Sequence, residues 1–192
     1  RENLEAAQRV LEAGGYRLHR VVAKDGGRPL CCGRTFLSAG LVEEARAEAR
    51  RTVDALAPFV AKGVRIVGLE PSCLMSFRDE FAALLPKAEV EPLAKAALLI
   101  EELLAVDMAA GRTSLPLHDQ GGRVAHLHGH CHQKAFDAMG AVEKTLRALP
   151  GLEAKPIESV ENACATGGQA ILAVANKLML GDGDVGLAVG FE

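Results

Sequence analysis

The chain has few aromatic residues and no surplus of positive charge. It contains six Phe, one Tyr and no Trp in 192 residues, and its net charge is −3. Nucleic-acid-binding domains commonly combine a basic patch with aromatic side chains that stack on bases, so this composition does not favour that class. The longest apolar runs are shorter than the roughly 20 residues of a membrane-spanning helix, and no signal peptide is recognisable. Composition therefore favours an ordinary globular domain with one sizeable core.

The sequence also lacks the C-x2-C knuckles that supply ligand pairs to structural zinc sites. Its five cysteines are an odd number, and two of them are adjacent. This usage favours a reducing compartment over a disulfide-bonded scaffold, so we expect a cytoplasmic location. Because the chain starts with Arg1 rather than Met, we expect a fragment or a processed piece of a longer protein.

Hydrophobic patterning predicts strands that alternate with helices. The predicted helices span residues 2–13, 41–61, 74–85, 92–105, 133–149 and 168–180. The predicted strands span residues 16–22, 64–69, 124–127 and 185–189, and residues 111–122 are predicted to be a loop. Helices of this length between strands imply an α/β fold, with a mostly parallel sheet built from strand–helix units.

Cysteines follow several of these elements. Cys31 and Cys32 come after a Gly-rich turn, Cys73 comes after strand 64–69, and Cys131 comes after strand 124–127. Ligands gather at the carboxyl ends of strands in α/β sheets, so we expect these cysteines at one edge of the sheet. A cysteine at the start of the following helix has a lowered pKa, and its thiolate binds metal. Soft sulfur ligands select zinc or iron–sulfur, and the missing knuckles favour a cluster; separate buried cysteines without metal remain the alternative.

Four histidines alternate along the segment around Cys131. On a strand they would share one face, which makes a metal site conceivable. They are His126, His128, His130 and His132. For His126 and His128 the more economical interpretation is a hydrogen-bonded structural role.

Three segments, residues 30–34, 67–80 and 128–135, resemble the cysteine-rich CCG domain. That domain forms the C-terminal half of iron–sulfur subunits or of fused FAD-linked oxidases, including glycolate and D-lactate oxidase systems. It also occurs in heterodisulfide reductase B-type subunits and in anaerobic glycerol-3-phosphate dehydrogenase C-type subunits. The resemblance covers about residues 1–157 and implies an iron–sulfur electron-transfer domain, with a 4Fe–4S cluster, that relays electrons from a flavin to an acceptor.

The resemblance also implies roles for individual residues and partners. By this resemblance, Cys31, Cys32 and Cys73 are cluster ligands, and Cys131 is the first residue of a second motif. His130 and His132 are beside Cys131, where they would tune or gate the cluster. The implied partners are an FAD-containing dehydrogenase domain or subunit and a ferredoxin-like cluster segment, with peripheral membrane association through that complex. The chain has neither segment, and no cysteine precedes the first motif. We therefore do not expect the chain alone to turn over a substrate.

The C-terminal residues depart from that pattern. The family has a second Cys-Cys-Gly where this chain has a single cysteine, Cys164. Residues 159–170 and 181–192 are similar instead to the nucleophile segment of thiolases, which implies that Cys164 takes an acyl group as a thioester. Residues 158–192 are thus predicted to be a thiolase-like tail, joined to an N-terminally truncated CCG-type domain near Pro156. An acyl-CoA acyltransferase fragment and a non-catalytic zinc-binding module are the alternative functions.

Overall fold

A computed structural model gives the structure of the protein and describes residues 2–23, 27–156, 172, 175, 176 and 178–181. These residues form a mixed α/β protein in which helices predominate. The chain divides into two compact units. The first comprises Arg1–Arg123 and Gly129–Glu153, and the second comprises Val124–His128 and Ala154–Glu192.

The helices and strands are short except for one helix. The helices are α1 (Glu2–Ala13), α2 (Arg34–Ser38), α3 (Val42–Val60), α4 (Pro71–Arg78), α5 (Glu80–Leu84), α6 (Lys87–Ala96), α7 (Ile100–Ala109), α8 (Cys131–Ala135) and α9 (Met139–Arg147). The strands are β1 (Ile66–Gly68), β2 (Ala97–Leu99), β3 (Val124–Leu127) and β4 (Glu153–Pro156). Strands β1 and β2 pair in parallel, with Val67 opposite Leu98, and β3 pairs with β4.

Helix α3 organises the largest core because its apolar residues recur every three or four positions. Ala45, Ala49 and Val53 lie on one stripe, and the first two are completely buried. Their small side chains let α3 pack closely against α5 and α6, whose Phe81 and Val90 complete this cluster. The predicted helix 41–61 is thereby confirmed as Val42–Val60.

Helix α4 packs against both strands of the parallel sheet. Leu74 and Met75 are buried with Ala97 and Leu99 of β2 and with Ala138. This packing fixes the orientation of α4, whose first turn carries Cys73. A third small cluster joins α1 to α7 through three buried leucines, Leu11, Leu103 and Leu104.

Two predicted elements are wrong. Residues 16–22 form neither helix nor strand, because a strand needs a hydrogen-bonded neighbour and the structure gives this segment no sheet. The predicted helix 92–105 is interrupted by β2, which joins α6 to α7. Residues Ala97–Leu99 have good helix propensity, but pairing with β1 and burial of Ala97 and Leu99 override it.

Other predicted elements differ in extent. The predicted helix 74–85 is two helices, α4 and α5, which change direction at Asp79, and 133–149 is divided into α8 and α9. The predicted helix 2–13 and strand 124–127 are confirmed, and 64–69 is shortened to β1. The predicted helix 168–180 is described only at single residues, and strand 185–189 lies outside the described residues. Within the described ranges, no helix has the length and apolar character needed to cross a membrane.

Candidate metal centre

The Cys-Cys-Gly segment leads directly into α2 and lies against α3. Cys31 is half-buried and Cys32 is buried. The Thr52 hydroxyl of α3 donates a hydrogen bond to the Cys31 carbonyl oxygen at 2.9 Å. Gly33 N–H points back at the Cys31 Sγ, 3.4 Å away, so that sulfur already receives one backbone hydrogen bond. The segment is thus held from two sides before any ligand is considered.

Gly33 is required at this place for two reasons. Its φ is +77°, in the left-handed region that other residues rarely adopt. A Cβ built on it would also meet the Ala45 carbonyl oxygen at 2.9 Å and the Glu48 Cβ at 3.3 Å. The glycine therefore lets the cysteine segment approach the backbone of α3.

A buried carboxylate fastens the residues that precede the cysteines. The Glu48 side chain is only 2% exposed and forms ion pairs with Arg28 and Arg51. Arg51 also donates to the Arg28 carbonyl oxygen at 2.8 Å. Burial of an unpaired carboxylate would destabilise the fold, so Glu48 needs both arginines as partners. Through them it connects helix α3 to the residues before the cysteines.

Cys73 is positioned by the way α4 begins. Pro71 occupies the first helical position, where its missing N–H costs nothing. Glu70 caps the helix by accepting hydrogen bonds from Ser72 N–H at 3.2 Å and from Cys73 N–H at 2.6 Å. Its carboxylate also accepts from the Ser72 hydroxyl at 2.6 Å. The hydrogen bond from its backbone N–H to Glu70 therefore fixes the position of Cys73, while its side chain is exposed.

Cys32 and Cys73 come together although 41 positions separate them in the sequence. Their Sγ atoms lie 3.3 Å apart. Two thiolates that share one tetrahedral metal ion, with metal–sulfur bonds of about 2.3 Å, stand about 3.8 Å apart. The observed spacing is close to that value, so the pair fits a shared metal ion after a small separation.

Cys131 belongs to a second group of donors at the start of α8. Its Sγ lies 3.3 Å from Nδ1 of His132 and 3.7 Å from Nδ1 of His130. One ligand atom from each of the three residues lies within 4.8 Å of the others. Gln133 completes the turn by accepting a hydrogen bond from His130 N–H at 3.1 Å.

Contacts around α4 bring both groups into one region of the first unit. Helix α4 packs against α2 on one side and against α8 on another. Glu70 spans the two groups, because its Oε1 lies 4.0 Å from Nε2 of His130 while its carboxylate caps the helix of Cys73. The structure thus gathers the residues that the sequence motifs single out around the start of α4.

The pKa values of Glu70 and Cys73 at the start of α4 are both shifted, and the shift of Cys73 is opposite to the one expected from the sequence. Although partial burial acts in the opposite direction, hydrogen bonds from Ser72 and Cys73 lower the pKa of Glu70 to about 2. Burial, the neighbouring Cys32 and the Glu70 carboxylate raise the pKa of the Cys73 thiol. Partial burial of the thiol, Cys32 and Glu70 outweigh the effect of the helix start, so the expected lowering of the Cys73 pKa is wrong.

The histidines do not form the shared strand face that their alternation suggests. Among them, β3 includes His126, while His130 caps α8 and His132 lies within it. Burial, the positive charge of Arg34 and the neighbouring His130 lower the pKa of His132. The sequence therefore predicted the wrong arrangement, although it singled out His130 and His132 beside Cys131.

Two further features of the site were missed from sequence. Glu70 as a helix cap was not predicted, although the Pro that follows it is a recognised sign of a helix start. The ion pair between Arg34 of α2 and Glu80 of α5, at 2.7 Å, was also missed. Cys164, the predicted acyl-transfer nucleophile, lies outside the described residues.

Comparison with known proteins adds no relative. No family model, no curated protein and no solved structure matches the chain. The chemistry of the site therefore rests on its own residues and on the sequence motifs that contain them.

Proposed function

We propose that the chain holds an iron–sulfur cluster through Cys31, Cys32 and Cys73 and serves as the electron-transfer domain of an FAD-linked 2-hydroxy-acid oxidoreductase. The observation that carries this proposal is that Cys32 and Cys73, 41 residues apart in sequence, bring their Sγ atoms to one place, where they lie 3.3 Å apart before any cluster separates them. Chance packing of two small thiols is a poor alternative, because Cys31 is adjacent and already accepts a backbone hydrogen bond. Three sulfurs on two separately anchored segments, Cys31–Cys32 and the start of α4, make a preorganised soft-ligand site.

The surrounding residues suit a redox centre. When bound, the cluster supplies one-electron transfer, and hydrogen bonds to its sulfur ligands tune its potential. Gly33 N–H is such a donor to Cys31, and Cys32 is buried. Cys73 is exposed, so one side of the site remains open to an electron donor.

The proposal extends to parts outside this chain. A flavin domain or subunit would oxidise a 2-hydroxy acid of the glycolate or D-lactate type, and a ferredoxin-like cluster segment would accompany it in the cytoplasm. We also propose the finer architecture of a mostly parallel sheet built from strand–helix units, with cysteine motifs at the carboxyl ends of strands. In its support, Cys73 follows β1, and Cys131 follows β3, each at the start of the next helix.

The test is the content of iron and acid-labile sulfide per chain after anaerobic purification and reconstitution. We expect iron with matching sulfide in the unmodified protein, and loss of most of both in Cys32→Ser and in Cys73→Ser. Cys164→Ser is the matched control, since it removes a thiol from outside the proposed site and should leave the iron content unchanged.

The possible outcomes separate the candidate functions. Equal iron in all three variants would show that the cluster is held elsewhere. Zinc without sulfide in the folded protein would contradict electron transfer and favour a zinc-binding module. Four irons per chain would mean that Cys32 and Cys73 move apart on loading, because each thiolate then binds its own iron.

A further inference from the structure

A second set of metal ligands lies at the start of α8 and needs none of the three cysteines assigned above. His130, Cys131 and His132 are consecutive residues, and their ligand atoms lie within 4.8 Å of one another. Two imidazoles with one thiolate form a donor set of intermediate softness, which zinc and related divalent ions prefer.

The sulfur–nitrogen distances match a shared ion. With bonds of about 2.3 Å to sulfur and about 2.0 Å to nitrogen, a tetrahedral ion holds these atoms about 3.5 Å apart. The two distances in the structure, from Cys131 Sγ to Nδ1 of His132 and of His130, are 3.3 Å and 3.7 Å. The ligand nitrogens of the two imidazoles lie within 4.8 Å of one another, so rotation of the rings would also have to bring these nitrogens closer together for both to bind the same ion.

The hydrogen bonds of His130 select the tautomer that such an ion requires. His132 N–H donates to Nδ1 of His130 at 3.1 Å, which means that Nδ1 carries a lone pair and the proton resides on Nε2. That Nε2 faces the Glu70 carboxylate at 4.0 Å. Metal-binding histidines commonly direct the second ring N–H at a carboxylate, which fixes the ring and increases its basicity. On metal binding, the ion replaces the His132 N–H as the partner of Nδ1.

The group is accessible to solvent. Cys131 is exposed, and 38% of the His130 side chain is exposed. Three protein ligands at an accessible position leave the fourth coordination position for water or another oxygen ligand, in contrast to structural zinc sites, which are closed by four protein ligands.

We propose that His130, Cys131 and His132 bind a single divalent ion of the zinc class, with an open fourth position, separately from the thiolate site of Cys31, Cys32 and Cys73. The Glu70 carboxylate caps the helix that carries Cys73 and lies 4.0 Å from Nε2 of His130, so it is next to both sites. This assignment gives Cys131 a role that does not depend on an iron–sulfur cluster.

The test is titration of the full chain with Co²⁺ under anaerobic conditions, because Co²⁺ replaces zinc and gives a sulfur-to-metal charge-transfer band. In a variant with Cys31→Ser, Cys32→Ser and Cys73→Ser, we expect one equivalent of Co²⁺ with tetrahedral d–d bands and the charge-transfer band. Adding Cys131→Ser should abolish that band. His132→Ala should weaken binding at least tenfold, because it removes one of the three ligands.

Absence of the charge-transfer band from the folded triple variant, or its persistence after Cys131→Ser, would overturn the proposal. A second comparison covers the case in which the triple variant does not fold. Cys131→Ser alone, a change at an exposed position, should remove one equivalent of bound Co²⁺ from the otherwise unmodified chain, and retention of every equivalent would refute the site. These readouts are independent of iron and sulfide content, so failure here leaves the proposed electron-transfer function standing, and the reverse also holds.

Discussion

Replacement of Gly33 by alanine tests whether the cysteine segment depends on its close approach to α3. The new Cβ would be held at a φ of +77°, which costs an L-residue about 1–2 kcal/mol. It would also stand 2.9 Å from the Ala45 carbonyl oxygen, part of a helix backbone in which Ala45 is completely buried. Relief of such a contact by backbone displacement costs about 1–3 kcal/mol. We therefore expect Gly33→Ala to lower the free energy of unfolding by about 3 kcal/mol.

Gly40→Ala is the matched control for this prediction. Gly40 has a φ of +74°, nearly the same as Gly33, but no heavy atom lies within 4 Å of the position of its added Cβ. Gly40→Ala should therefore lower the free energy of unfolding only by the cost of the left-handed backbone conformation, about 1 kcal/mol. The difference between the two variants isolates the effect of the approach to α3.

Thermal unfolding followed by circular dichroism provides the measurement. For a chain of this size, 1 kcal/mol corresponds to roughly 2–4 °C in Tm, so Gly33→Ala should melt about 6–12 °C lower and Gly40→Ala about 2–4 °C lower. Iron content after reconstitution should fall in the first variant and remain in the second. Equal shifts in Tm for the two variants would refute the argument that the segment is packed against α3 through Gly33.

Two further substitutions test other parts of the first unit. Asp107 is 1% exposed and pairs with Arg65 and Arg112, so Asp107→Asn should cost about 2 kcal/mol at neutral pH, as measured by urea unfolding. The hydrogen bond from Arg65 lowers the pKa of Asp107, so its contribution is complete above the unfolded-state pKa of about 3.9 and is lost as pH falls below it. The deficit of the Asn variant should therefore shrink in acid, and a deficit independent of pH would contradict the ion-pair explanation. Gly129→Ala should cost only about 1 kcal/mol, because the added Cβ overlaps Met139 Sδ and Cε, the end of a flexible side chain that can move aside. Met139→Ala in the same chain should recover part of that loss in a thermal melt, and no recovery would assign the cost to the backbone instead.

The longest element was predictable from sequence, whereas the strand that completes the parallel sheet was not. The stripe of Ala45, Ala49 and Val53 is a local property with a helical period, and the structure confirms the helix. Strand β2 has three residues, Ala97–Leu99, inside an apolar run that fits a helix equally well. What decides its conformation is pairing with β1, some thirty positions earlier, and no local pattern records that contact.

The candidate site also has some features that the sequence predicted and others that it did not. Each cysteine was singled out from its position after a strand or turn, and the meeting of Cys32 with Cys73 is present in the structure. Their role as cluster ligands stays a prediction. The alternation of histidines was misleading, because the chain leaves β3 at Leu127 and enters α8 at Cys131, so the period-two pattern crosses an element boundary. The capping role of Glu70 depends on the exact first turn of α4, which patterning does not resolve.

The position of Glu70 also bears on how the centre would respond to a metal. A helix start normally favours a thiolate, yet the Glu70 carboxylate uses the Cys73 N–H, at 2.6 Å, and adds negative charge beside the sulfur. Partial burial, Cys32 and this charge together raise the pKa of Cys73. A bound metal ion supplies the positive charge that reverses this balance, because a coordinating thiol is deprotonated outright. Metal binding should therefore release protons. Glu70→Gln would remove one repulsive charge from the thiolate, but it would also weaken the cap of α4. The same carboxylate thus opposes ionisation of Cys73 and, through the cap, fixes the backbone position of that residue.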